Sequence, residues 1–200
     1  TAGKVLPLDY LGDARVVAER HGLGMHLDGA RIFNASVKLD VPVTDITGHF
    51  DSTSVCLSKG LCAPAGSLLC GTAELISRAH RWRKMLGGGM RQAGVLAAAG
   101  ILSLTEQVQH LEQDHANALQ LAGKLAEIDD LEVDADEVQT NMVLVHVAEA
   151  TFQPLIEAMK NNGVLVFGRN NTLRLVTHFD FKQDDIDTVS AAFSRAIATI

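Results

Sequence analysis

The chain has 200 residues, of which 47% are hydrophobic and 20% charged, a composition typical of a globular protein with a substantial core. Its formal net charge of −7 argues against nucleic acid and anionic membranes as partners, because both bind basic surfaces. No apolar run is long enough to span a bilayer and residues 1–10 lack the apolar centre of a signal peptide, so we expect a cytoplasmic protein.

The first part of the chain alternates between helix and strand patterns, which predicts an α/β sheet. The predicted elements are a helix at 8–21 and strands at 24–30, 52–60 and 66–72. The strand at 24–30 is short and mostly apolar, as expected for a strand buried on both faces of a parallel sheet. Ligands bind beyond the carboxyl ends of strands in such sheets, and Asp28 and Lys59 lie at two of these ends.

Further helices follow, and the composition then changes. A helix at 73–86 ends at three consecutive glycines, and the apolar helix at 91–104 is predicted to be buried. The charged, periodic segment at 105–128 is predicted to connect two domains, 1–104 and 105–200. The second domain has an α+β pattern, with strands at 140–147, 163–167 and 172–178 and helices at 152–162 and 183–200.

Three cysteines and eight histidines give no sign of a metal centre. Cys56, Cys62 and Cys70 match neither a CxxC pair nor the spacing of a zinc site, and the histidines are scattered. We therefore expect reduced thiols and no metal ion.

Lys59 is a candidate for covalent attachment of a cofactor. It stands between Ser58 and Gly60 at an otherwise apolar strand end, where an ammonium group would lose much of its hydration. A neutral amine in such a place can react with an aldehyde, and pyridoxal phosphate is the common aldehyde partner. The alternative is a surface or ion-paired lysine, which is more frequent when a single lysine is considered alone.

Asp28 strengthens this hypothesis, because a carboxylate at a neighbouring strand end can pair with the protonated pyridine nitrogen of that cofactor. The alternative is a turn residue, which the following Gly29 also suits. Arg31 and Arg174 are candidates for binding a carboxylate through a planar guanidinium. Arg31 follows Asp28 in the same loop and could equally be solvent-exposed, whereas Arg174 alternates with apolar residues on a predicted strand.

A local positive cluster stands out in this acidic chain. Its members are Arg78, Arg81, Arg83, Lys84 and Arg91. The glycines at 87–89 precede a helix and offer free backbone amides, which can bind phosphate. A solvated helix face and a sharp turn between two helices are the alternatives.

Four ordered segments resemble the low-specificity L-threonine aldolases. They are HLDGARIFNA, SVCLSKGLCAPAGSLLCG, RWRKMLGGGMRQAGVLAAAG and LRLVTH, and the resemblance runs from Gly3 to the C-terminus. It implies the fold of type I pyridoxal-phosphate enzymes, with the later part of the large α/β domain followed by a smaller α+β domain. It also implies reversible cleavage of L-threonine or L-allo-threonine to glycine and acetaldehyde.

The resemblance also implies roles for six residues. Lys59 would bind pyridoxal phosphate covalently and Asp28 would pair with its ring nitrogen. Arg31 and Arg174 would bind the substrate carboxylate or cofactor oxygens, and Lys84 and Arg91 would reach the phosphate across an interface in a homodimer or homotetramer.

Two departures from the family pattern matter. The family usually has glycine where this chain has Cys62, so we expect a more constrained loop or a thiol near the cofactor. Relatives also carry a preceding segment with a phosphate loop and two active-site histidines, so we expect a further N-terminal segment and assign no catalytic base here. Other pyridoxal-phosphate reactions, such as β-elimination or transamination, remain open, as does a non-catalytic fragment.

Overall fold

The computed structural model describes residues 2–200, and its strands form two separate three-stranded sheets. The chain divides into an N-terminal unit, Leu6–His110, and a C-terminal unit that joins residues 2–5 to Leu111–Ile200. This division falls six residues beyond the boundary predicted between residues 104 and 105. None of the helices within residues 2–200 is long and apolar enough to cross a membrane.

The N-terminal unit contains a small mixed sheet with helices around it. The helices are α1 (Leu8–Arg20), α2 (Ile32–Leu39), α3 (Val43–Thr47), α4 (Ala73–Met85) and α5 (Gly94–Leu102). The strands are β1 (His26–Asp28), β2 (Ser52–Cys56) and β3 (Ser67–Gly71). The central strand β2 pairs in parallel with β1 and antiparallel with β3, so the prediction of an α/β sheet is confirmed.

Two predictions of burial in this unit are wrong. β1, expected to be buried on both faces, alternates between exposed and half-buried positions. In α5 only Gly100 is buried, while Val95, Ile101 and Leu102 are all more than half exposed. Local apolar character predicted that these elements form, but burial also requires another element to pack on them.

The connection after α5 is less regular than the single helix predicted at 105–128. Ser103–Gln107 forms a π-helical segment and Val108–His110 a 3₁₀ turn, before α6 (Leu111–Ala126) begins. The hydroxyl groups of Ser103 and Thr105 donate hydrogen bonds to carbonyl groups four residues earlier, at 3.0 Å in both cases. Such bonds compete with the backbone pattern and bend helices, which explains the change of helix type.

The C-terminal unit is an antiparallel sheet whose inner face is covered by helices. Its other elements are β4 (Met142–His146), α7 (Glu149–Asn161), β5 (Gly168–Arg169), β6 (Thr172–Val176) and α8 (Gln183–Ile197). The strand order is β4-β6-β5. Alternate residues of β4 and β6 meet α6, α7 and α8 in one core, in which Val143, Leu155 and Phe193 are fully buried. The prediction of a strand at 163–167 is wrong: none of these residues is in a strand, and regular pairing with β6 begins only at Gly168.

Residues 2–5 belong to this second unit through their hydrogen bonds. The Val5 N–H donates to Gln139 Oε1 at 2.7 Å, and the Thr140 hydroxyl donates to the Gly3 carbonyl at 2.7 Å. Lys4 also forms an ion pair with Glu137.

Candidate active site at the ends of strands β1 and β2

The parallel pairing of β1 and β2 brings the two candidate residues to the same edge of the sheet. Asp28 is paired with Ser54 in the register, and Lys59 follows shortly after β2 ends at Cys56. Parallel neighbouring strands lie about 4.8 Å apart, so the loops that leave β1 and β2 run side by side. This is the edge at which α/β sheets bind ligands.

A pocket lies between these two loops. Its lining includes Arg31 and Asn34 from the first loop and helix, with Cys56 and Lys59 from the second. Asp28 does not line it, but the adjacent Gly29 does. The structure therefore brings Lys59 and Arg31 to one pocket and places Asp28 at its border.

Asp28 also acts as a turn residue, the alternative left open by the sequence. Its Oδ1 accepts a hydrogen bond from the Ala30 N–H at 3.2 Å, and its side chain is exposed. The turn depends on Gly29, because a Cβ atom there would lie 2.7 Å from the Ser54 carbonyl oxygen. The turn interaction orients the Asp28 carboxyl without preventing it from pairing with a ligand.

Lys59 is exposed, so the predicted loss of hydration at its ammonium group is wrong for this structure. The lysine stands in a turn in which its carbonyl oxygen accepts a hydrogen bond from the Cys62 N–H at 2.9 Å. Cys62 has φ of 62°, the left-handed conformation that favours glycine. The expectation of a constrained loop after Lys59 is therefore confirmed.

Cys56 is a site residue that the sequence analysis missed. Partial burial raises the pKa of its thiol, but hydrogen bonds with Ser58 and Ser67 and the positive charge of Lys59 outweigh burial and leave the pKa below its ordinary value. The Cys56 Sγ lies 3.4 Å from the Ser58 hydroxyl. The alternation along β2 places Cys56 on the same face as Ser54, which was the available signal.

Lys84 and Arg91 lie elsewhere in the N-terminal unit, and neither lines the pocket. Lys84 is in the last turn of α4, whose end is closed by two hydrogen bonds: Gly88 N–H to the Arg83 carbonyl at 2.8 Å, and Gly87 N–H to the Lys84 carbonyl at 3.2 Å. Gly87 has φ of 84°, as this helix ending requires. The glycines therefore end helix α4, as predicted for the helix at 73–86.

Arg174 belongs to the C-terminal unit, where it is exposed on the central strand β6. The sequence pattern suggested that it should have an anionic partner. Among residues 2–200, however, no carboxylate lies within ion-pair distance of it. In the same range no group of three histidine, cysteine or acidic side chains is arranged to hold a metal ion.

The chain is similar in sequence to known proteins along most of its length. The sequence profile of the beta-eliminating lyase family matches residues 1–149. The low specificity L-threonine aldolase of Escherichia coli is 45% identical over 196 residues, which are 98% of this chain and 58% of that protein. The chain therefore spans little more than half the length of this curated relative.

Two solved structures show the same fold. One, from an Exiguobacterium species, is described as a putative aromatic amino acid beta-eliminating lyase/threonine aldolase. It is 22% identical to this chain, with a TM-score of 0.81. The match covers 97% of this chain and 58% of that one. The other is SPT with PLP, at 17% identity and a TM-score of 0.74, covering 99% of this chain and 52% of that one. Both likenesses place the chain in the fold of type I pyridoxal-phosphate enzymes. Because the family profile matches about three quarters of the residues, the chain belongs to the beta-eliminating lyase family.

Proposed function

We propose that this chain is part of an enzyme that uses pyridoxal phosphate to cleave L-threonine and L-allo-threonine to glycine and acetaldehyde. The observation that carries the proposal is the meeting of Lys59 and Arg31 at one pocket, at the ends of two parallel strands, with Asp28 at its border. The 45% identical relative, which is named a low specificity L-threonine aldolase, supports the choice of reaction.

The residues at this edge of the sheet fit the cofactor by their chemistry. Lys59 offers an exposed amine for an aldehyde, Asp28 an exposed carboxylate for a protonated ring nitrogen, and Arg31 a guanidinium for anionic oxygens. When bound, pyridoxal phosphate would accept the electrons released as the substrate's Cα–Cβ bond breaks.

The side chains of this chain would then have separate tasks. Lys59 would hold the cofactor covalently until the substrate amine displaces it. Asp28, oriented by its hydrogen bond from Ala30, would keep the proton on the ring nitrogen. Arg31 and Arg174 would bind the substrate carboxylate, and Arg31 would also bind cofactor oxygens.

Lys84 and Arg91 would bind the cofactor phosphate from a second copy of the chain, in a homodimer or homotetramer. Both side chains are exposed, which supports such a role. Large apolar side chains of the N-terminal unit are also exposed, including Leu86 at 81% and Val95 at 69%, and such surfaces commonly mark contacts with further polypeptide. That polypeptide would include an upstream segment that carries the remaining active-site residues.

We place the enzyme in the cytoplasm, in keeping with three cysteines that form no disulfide in the described structure.

β-Elimination is a second candidate, because the matching family profile is that of beta-eliminating lyases. Lys59, Asp28 and a carboxylate-binding arginine would serve that reaction equally well. The products separate the two reactions: aldol cleavage gives acetaldehyde and glycine, whereas elimination gives ammonia and a keto acid.

Replacement of Lys59 tests the proposal directly. In the full-length protein, Lys59→Ala should prevent covalent attachment of pyridoxal phosphate, detected as a mass increase after borohydride reduction, and abolish acetaldehyde release from L-threonine. Lys38→Ala is the matched control, because Lys38 is also an exposed lysine of the N-terminal unit but lies at the end of α2. Retention of the borohydride-trapped mass by Lys59→Ala would refute the assignment.

A further inference from the structure

We propose that Phe167 determines substrate specificity, because its ring would contact the β-substituent of an amino acid whose carboxylate Arg174 binds. The inference rests on the proposed function, which assigns that carboxylate to Arg174. It deepens that function by naming the favoured substrate class: β-hydroxy amino acids with a large apolar or aromatic β-substituent.

Arg174 lies on the face of the C-terminal sheet that points away from the core. Its neighbour Leu173 is fully buried in that core, and side chains alternate between the two faces of a strand. The guanidinium is exposed and has no carboxylate within ion-pair distance in residues 2–200. It is therefore available to an anion from solution.

Phe167 lies directly across from Arg174 on this same outer face. The Arg174 N–H donates to the Phe167 carbonyl at 3.0 Å, which extends the antiparallel register in which Gly168 pairs with Leu173. Val164 and Val166 pack against the core, so the alternating Phe167 turns outward, where it is 73% exposed. Directly opposite residues of antiparallel strands have Cβ atoms about 5 Å apart.

A guanidinium beside an exposed phenyl ring fits a carboxylate that carries an apolar group a few ångströms away. In an α-amino acid only one carbon separates the carboxylate from the β-carbon, so a β-substituent lies within reach of a residue that neighbours the carboxylate's partner. The positive charge thus selects an acid and the ring selects its substituent. Leu144, half-buried on the other side of Arg174 in β4, offers less apolar surface than the ring does.

The test uses the full-length, cofactor-loaded protein and two substrates, L-threonine and L-β-phenylserine. Phe167→Ala should lower kcat/KM for β-phenylserine about tenfold, mainly through KM, while threonine changes by less than about threefold, since apolar contacts discriminate by about ten- to a few hundred-fold. The affinity for glycine, measured by calorimetry, should stay unchanged because glycine has no β-substituent. Leu165→Ala is the matched control: Leu165 is 83% exposed on the same face but is not opposite Arg174.

Three results would overturn the proposal. Equal losses on both substrates would show that Phe167 does not discriminate between them. The same selective loss in Leu165→Ala would show that a position directly opposite Arg174 is not needed for discrimination between the substrates. A change in sedimentation in both variants would identify the outer face as an interface between copies.

A separate variant distinguishes this failure from failure of the proposed function. Arg174→Lys should weaken glycine binding, because an ammonium group cannot form two parallel hydrogen bonds with a carboxylate. Unchanged glycine affinity in that variant would refute the carboxylate role of Arg174 and with it the basis of the inference. If Arg174→Lys weakens glycine binding as expected but Phe167→Ala affects both substrates equally, only the role of Phe167 is refuted.

Discussion

The two units of this chain bury their side chains in different ways. The C-terminal unit has a closed core, in which nine large apolar side chains from α6–α8, β4 and β6, including Leu155 and Phe193, are almost completely buried. In the N-terminal unit the sheet has an exposed edge strand, and α4 has no buried residue at all. Because each buried large apolar side chain contributes about 1.5–3 kcal/mol, most of the stability intrinsic to the described chain should come from the C-terminal unit.

The difference also separates structural from chemical roles. The pocket with Lys59 and Arg31 belongs to the N-terminal unit, where loops at the sheet edge leave reactive side chains accessible. Arg174 belongs to the C-terminal unit but projects from the one sheet face that its helices do not cover. In both units, therefore, the candidate functional residues lie on surfaces that the core does not use.

A pair of leucine substitutions in helices gives the strongest test of this comparison. Leu155→Ala in α7 removes a fully buried side chain and should cost about 2–5 kcal/mol. In the 200-residue chain alone, Leu102→Ala in α5 removes a side chain that is 53% exposed and should cost less than about 1 kcal/mol. Hydrogen exchange of backbone amides in each unit measures both changes. A cost above 2 kcal/mol for Leu102→Ala would mean that another surface covers α5 in solution.

Gly29→Ala tests whether the N-terminal unit, despite its exposed elements, is tightly packed at the candidate site. The new Cβ would lie 2.7 Å from the Ser54 carbonyl oxygen and 3.0 Å from Thr53 Cγ2, so the turn after Asp28 must shift. We expect a cost of about 1–3 kcal/mol by urea denaturation, as for other overpacked sites. Gly94→Ala is the control, because its Cβ would meet no atom within 4 Å. Equal effects of the two substitutions would contradict the tight packing at Gly29.

Cys62→Gly should stabilise the loop after Lys59. A non-glycine residue in the left-handed conformation costs about 1–2 kcal/mol, and glycine removes this strain. The greater freedom of glycine in the unfolded chain offsets about 0.5–1 kcal/mol of the stabilisation. The net stabilisation expected is therefore about 0.5–1 kcal/mol by urea denaturation.

The same substitution at Cys70 supplies an internal control. Cys70 lies in β3 and does not have positive φ, so glycine there relieves no strain and should destabilise the strand by about 0.5–1 kcal/mol. Opposite signs at the two cysteines are thus the expected result. Destabilisation by Cys62→Gly would show that the thiol's bond to the Gly60 carbonyl, at 3.4 Å, outweighs the backbone strain.

Sequence patterns predicted most elements of both units, because local signals determine where these begin and end. The helix predicted at 73–86 is α4, and the glycines that follow it end it with the expected left-handed residue at Gly87. The positions of Asp28 and Lys59 at strand ends also followed from local turn signals. These predictions needed only the residues within each segment.

Burial and the composition of the pocket could not be predicted in the same way. The apolar helix α5 was expected to be buried, but its sequence carries no information about which element packs on it. Cys56 was missed because alternation gives the face of a side chain, not the loops that close around it. The exposure of Lys59 likewise depends on packing beyond its own strand end.

Acid pH tests a smaller, electrostatic contribution to the N-terminal unit. The Met25 N–H donates to Asp51 Oδ2 at 2.7 Å and Arg15 donates to Oδ1 at 3.0 Å, and these bonds hold the pKa of the Asp51 carboxyl below its ordinary value. Because the pKa is lower in the folded state, the ionised carboxyl stabilises the fold, and it does so fully at pH values above the ordinary pKa of aspartate, about 3.9. This stabilisation is lost as the pH falls through the folded-state pKa.

Asp51→Asn should therefore destabilise the N-terminal unit slightly at pH 7 and reduce its loss of stability on acidification below about pH 4. Urea denaturation at several pH values, followed by amide exchange in β1 and β2, measures both effects. Asp13→Asn is the matched control, because the Asp13 side chain, on α1, is likewise exposed and forms no hydrogen bond or ion pair within residues 2–200. Since the Asp51 side chain is exposed, its contribution should be smaller than that of any substitution above, and salt should weaken it. If Asp51→Asn and wild type lose stability in parallel as the pH falls, the interactions with Met25 and Arg15 do not stabilise this unit, and its stability rests on the buried side chains alone.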